Sequence, residues 1–197
     1  MIEIIHIVAL SLLFSLLVPR KKTWLAVALA AALVAVFSAT PIELRFWSAV
    51  GTPSITALAL LSDAVLRRHG MPLLPSADRS LLLAIAAACF IILEPAALGY
   101  LPFDLYRLGF SPVAPLLIAI IAAVLFARGR PAVACVILAT LVAFDFRLLG
   151  SANLWDYLID PIVGVAALII LGAKGSLRAR ARIEKASASP RTDLLVC

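Results

Sequence analysis

A series of apolar stretches almost free of charge, each closed off by a few charged residues, limits what this chain can become more than any other feature. Seven of them cover residues 4–19, 23–40, 47–66, 81–101, 112–127, 131–144 and 161–173. A helix crosses ~30 Å of hydrocarbon in about 17–25 residues, so each stretch is read as a membrane span. The last two are short and must borrow residues 146–149 and 155–159. Six spans, with one of these two lying in the interface, is the competing count. The chain is 64% apolar and 14% charged, against about 45–50% and roughly 25% in soluble domains. A soluble globule of this size cannot hide that much hydrocarbon, and disordered, collagen-like and disulfide-scaffold classes are excluded with it. Alanine and leucine favour helix, whereas a β-barrel would alternate apolar and polar residues in strands of about ten. The expected fold is an all-α polytopic transmembrane helix bundle of about seven spans over residues 1–173. A basic, disordered cytoplasmic tail is expected at 174–197.

Basic residues set the orientation. Glu3 precedes the first stretch and Arg20, Lys21 and Lys22 follow it, the reverse of the charge order in a signal peptide. Cationic clusters stay in the cytoplasm, which places the N-terminus outside and the C-terminus inside. Alternation then puts Arg67, Arg68, Arg79, Arg128 and Arg130 inside, with Lys174, Arg178, Arg180, Arg182, Lys185 and Arg191 of the tail. Of the 17 lysines and arginines, only Arg45, Arg107 and Arg147 fall outside. An even number of spans breaks this pattern. Trp47, Tyr100, Tyr106, Trp155 and Tyr157 mark the outer boundary and Trp24 the inner one, as rings that need both an apolar and a hydrogen-bonding side should. Residues 100–110 read as interfacial. The net charge of +6 is therefore a topology signal; a nucleic-acid partner would require a continuous basic face. The expected setting is a bacterial inner membrane, with the lipid bilayer, anionic headgroups against the tail and a membrane protein as partners.

Polar residues within the stretches carry the functional expectations. Ser48, Thr52, Thr56, Asp63 and Arg67 follow at intervals of 4, 4, 7 and 4 and would share one face of the third span. They read either as a polar track for a solute or proton through Asp63, or as helix–helix glue with an Asp63–Arg67 ion pair. The outer turns repeat an acid followed by arginine: Glu43 and Arg45, Asp104 and Arg107, Asp145 and Arg147. Three guanidiniums at the outer face could grip a phosphate or carboxylate; the plainer reading is three local ion pairs. Asp156 and Asp160 stand four apart before Pro161, where Asp160 fits a helix N-cap. Glu94 before Pro95 sits on the same outer side.

Several classes lack their motifs. His6 and His69 fall at opposite faces, which disfavours haem held between two histidines. No HExxH, GxSxG, P-loop or GxGxxG is present, and Cys89, Cys135 and Cys197 have no CxxC spacing. No metal or cofactor is expected. The leading expectation is a transporter-like or ligand-binding membrane subunit for a small or lipid-like anionic ligand. It would be held by Arg45, Arg107 and Arg147, with the third-span stripe as its path. The enzymatic alternative is a transferase or hydrolase acting on lipid-linked substrate at the outer leaflet, with Glu94, Asp104, Asp145 and Asp156 as acid–base candidates. A scaffold subunit that only packs against a partner is the third.

Overall fold

The computed structural model describes residues 2–38 and 51–188. Among the described residues all regular structure is helical: α1 (Ile2–Leu17), α2 (Thr23–Ser38), α3 (Ile55–Arg68), α4 (Ser76–Ala97), α5 (Val113–Ala127), α6 (Pro131–Asp145), the single turn α7 (Trp155–Leu158) and α8 (Pro161–Ala188). Short 3-10 turns occupy Arg20–Lys22 and Tyr106–Phe110. Among the described residues, two helical segments, Ser76–Ala97 and Pro161–Glu184, are long and apolar enough to cross a membrane. The remaining long helices have 14 to 16 residues. That is roughly 21–24 Å of rise, short of the ~30 Å that hydrocarbon demands.

Local chemistry explains where the helices depart from the apolar stretches. The third stretch turns helical only at Ile55, because Pro53 disfavours helix at Thr52 and Ser54 caps the new helix, its hydroxyl accepting from the Ala57 amide at 3.1 Å. Before it, Gly51 takes φ of +70°, a left-handed turn that suits glycine. Helix α4 starts five residues earlier than its stretch, with Asp78 in its first turn, where a carboxylate meets the positive helix end. It runs through Pro95 to Ala97, so proline does not end it at Glu94; the Leu98 amide still donates to the Glu94 carbonyl at 3.0 Å. Helix α8 begins at Pro161 as its sequence suggests, but it continues past Ala173 to Ala188. The expected disordered tail is thus helical over this stretch.

The packing places small residues inside and large ones outside. On α5, Ala114, Ile118 and Ala122 are buried at four-residue intervals, while Val113, Leu116, Leu117, Ile120, Ile121 and Val124 are exposed. Helix α8 repeats this with Val163 and Ala167 inside, Ile162, Val165 and Ile169 outside. Close approach of backbones through small side chains is how helices associate in lipid. Helices α1 and α2 form one hairpin, α5 and α6 another, and α4 packs along α8. One shared core of Leu82, Ala86, Ile118, Val133, Ile137 and Ala167 joins the α4–α8 pair to the α5–α6 hairpin.

Hydrogen bonds fix the direction of the helices. The Arg68 guanidinium donates to the carbonyls of Ser15 at 2.5 Å and Val18 at 3.2 Å, so α1 and α3 end side by side. Arg130, just before α6, pairs with Asp78 in the first turn of α4 at 2.9 Å. At the far end, the Ser54 amide before α3 donates to Asp160 before α8, also at 2.9 Å. The basic segments 20–22, 67–79 and 128–130 therefore gather at one end of the bundle.

Candidate functional site

At this basic end, Asp63 is fully buried. One carboxylate oxygen accepts from the Leu74 amide at 2.8 Å; the other takes Arg67 Nε at 2.7 Å and faces Arg79 Nε at 3.5 Å. Arg67 also donates to the Leu74 carbonyl. The ion pair expected from the four-residue spacing is present, and Asp63 is enclosed by it rather than lining an open path. Two guanidiniums share this one carboxylate, leaving a net positive charge.

Arg79 opens onto an elongated cavity of about 440 Å3 between α1, α3, α4 and α8. Its walls are almost wholly apolar, Leu10, Leu61, Leu83 and Ile170 among them. From Asp160 to Ile170, α8 lines it over roughly 15 Å. Asp160 closes the far end, but both its oxygens are taken: one by the Ser54 amide, the other by the Val163 amide, each at 2.9 Å. It is the N-cap its sequence suggested, and it holds α3 as well. His6, 4% exposed, lines the wall between.

The opposite end is built around Asp156. Its oxygens accept from the Tyr106 hydroxyl at 2.6 Å and the Ser151 hydroxyl at 2.5 Å. Asn153 Nδ2 donates to the Tyr106 carbonyl, and Trp155 Nε1 to the Leu105 carbonyl. The two loops approach so closely that a Cβ on Gly109 would run into Asn153 and Trp155. Asp156 and Glu94 line one chamber of about 230 Å3, with Phe90, Tyr106 and Trp155. Burial first, then the hydrogen bond to Asp156 and the charges of Asp156 and Glu94, push the Tyr106 phenol well above its ordinary range.

The remaining site candidates are dispersed. Arg45, Ser48 and Trp47 lie outside the described residues. Thr52 precedes α3 and so leaves the helical stripe, whereas Thr56, Asp63 and Arg67 lie on that helix. The buried Thr56 hydroxyl finds no partner among the described residues. Arg107 and Arg147 are exposed, as are Asp104 and Asp145, and neither acid pairs with its neighbouring arginine. Asp104 instead accepts from the Arg107 backbone amide at 3.0 Å. Of the four acid–base candidates, the chamber joins only Glu94 and Asp156, with no arginine in its walls. Among the described residues no group of three or more metal-ligating side chains is found. In sequence Arg79 is only one of the basic residues that set topology and Tyr106 only a boundary aromatic; the Asp78–Arg79 pair in the first turn of α4 is the local signal for the first. Comparison with protein-family models, curated proteins and solved structures gives no match to this chain.

Proposed function

We propose that this chain is a seven-span protein of a bacterial inner membrane, N-terminus outside and C-terminus in the cytoplasm, that binds a lipid-like anionic ligand, alone or as the membrane subunit of a complex. The observation that carries this reading is the apolar cavity with Arg79 at one end. An acyl chain gains by filling such a slot, and the positive charge left over from the Arg67–Asp63–Arg79 group suits a single anionic head. The ligand-binding arginine is thus assigned to the basic end instead of to the outer turns. The outward-facing large side chains on α5 and α8 support a lipid setting. Helices shorter than the bilayer are completed by the aromatic-rich loops at their ends, with local thinning.

The binding reading is tested with oleate and oleyl alcohol, titrated against the purified full chain in a nonionic detergent. Arg79→Gln is expected to weaken oleate by about tenfold or more, the scale of one charge-assisted hydrogen bond, and to leave oleyl alcohol unchanged. Filling the slot with Ala64→Leu should weaken both. Oleate binding indifferent to both substitutions overturns the reading.

Orientation is tested separately. Periplasm-active reporters fused after Asp104 and after Asp156 are expected to be active, and those after Gly70 and Gly129 silent. The reverse pattern removes the proposed topology.

A further inference from the structure

The chamber at the acidic end has a chemistry of its own, independent of the anionic site. Three of its walls are the aromatic residues Phe90, Tyr106 and Trp155, and two are the carboxylates Glu94 and Asp156. The hydrogen bonds that Asp156 receives come from the hydroxyls of Tyr106 and Ser151, which are neutral and leave its charge standing. Among the described residues no lysine or arginine pairs with either acid, although the chain carries a net charge of +6. Two half-buried carboxylates therefore line a half-open chamber with aromatic side chains and no cation to answer them. Aromatic rings attract cations through the negative potential of their faces, and cages of this kind recognise alkylated ammonium groups.

A second cavity bears on what carries the cation. A wholly apolar groove of about 280 Å3, walled by Cys89, Ile92, Leu108 and Leu117, adjoins the chamber across Leu93 and Trp155, which line both. An alkyl tail attached to a head in the chamber would meet apolar side chains on this side, with Leu93 and Trp155 between the two spaces.

We propose that the Glu94–Asp156 chamber is a binding site for an organic ammonium group. The adjoining groove suits an amine that bears an alkyl tail, and a soluble amine shares the same head chemistry. An inorganic divalent ion is a poorer match, since two carboxylates against aromatic walls supply few of the oxygens that such ions require.

The test is calorimetric titration of the full chain in a nonionic detergent with dodecyltrimethylammonium, tetramethylammonium and dodecanol. Dodecyltrimethylammonium should bind, and Glu94→Gln should weaken it by about tenfold or more. The Glu94 side chain makes no hydrogen bond among the described residues, so this change leaves the loop framework intact; Asp156→Asn, which alters that framework, serves as a second variant with the same expected direction. Tighter binding of the dodecyl compound than of tetramethylammonium assigns a lipid-like amine, while equal binding assigns a soluble one. Undiminished affinity in Glu94→Gln, or dodecanol binding as tightly as the cation, overturns the proposal. Oleate binding should be indifferent to Glu94→Gln, so the two sites stand or fall separately.

Discussion

Asp63→Ala is expected to lower stability by about 3–5 kcal/mol, the scale for removing one partner from a buried ion pair. The carboxylate is fully buried and, among the described residues, is the one acid that pairs with Arg67 and Arg79. Without it, the two guanidiniums lose their counter-charge, Arg67 is left with the Leu74 carbonyl, and the Leu74 amide loses its acceptor; an unpaired buried amide alone costs about 1–3 kcal/mol. Arg67→Ala should cost less, because the Arg67 side chain is 28% exposed and water screens what it gives up. Asp63→Asn keeps an acceptor for the Leu74 amide and should fall between them. The measurement is reversible unfolding in detergent micelles, followed by circular dichroism. A loss below about 1 kcal/mol for Asp63→Ala would mean that the arginines find water when the carboxylate is gone, and that this end of the bundle is wetter than its burial implies.

That residue also shows how far sequence reaches. The four-residue spacing from Asp63 to Arg67 was enough to place their ion pair, because helical geometry is local. The third partner, Arg79, arrives from the next helix, and nothing in spacing specifies that approach. Asp160 shows the same division: proline after aspartate disclosed the cap on α8, but its second bond, to the Ser54 amide, spans 106 residues. The helical character, the sorting of basic segments to one end and the helix starts at Pro131 and Pro161 follow from composition and punctuation. The polar stripe does not reach Thr52, because Pro53 keeps that residue out of the helix that begins at Ile55. The Asp104–Arg107 and Asp145–Arg147 turns form no ion pairs, because adjacency in sequence does not aim exposed side chains at one another; Glu43 and Arg45 lie outside the described residues. Glu94 and Asp156 were both legible as outer-end acids. Their meeting in one chamber depends on how the Tyr106 and Trp155 loops fold over α4, which is tertiary information.

Two glycines on α8 should answer the same substitution with opposite signs. A Cβ on Gly164 would run into Phe90, including that residue's own Cβ, so the ring cannot swing aside to make room. Gly164→Ala should therefore wedge α8 away from α4 and lower stability by about 1–3 kcal/mol, as overpacking does in close-packed interiors. Gly172 has no atom within 4 Å of its would-be Cβ. Gly172→Ala should raise stability by up to about 1 kcal/mol, because alanine restricts the unfolded chain and favours helix. Since Phe90 is also a wall of the Glu94–Asp156 chamber, Gly164→Ala should weaken dodecyltrimethylammonium binding while Gly172→Ala leaves it unchanged. Unfolding midpoints of the two variants, measured side by side in one detergent, provide the check. If both rise, helix propensity rather than backbone approach governs this helix, and the close α4–α8 contact that shapes the chamber is not what holds the pair together.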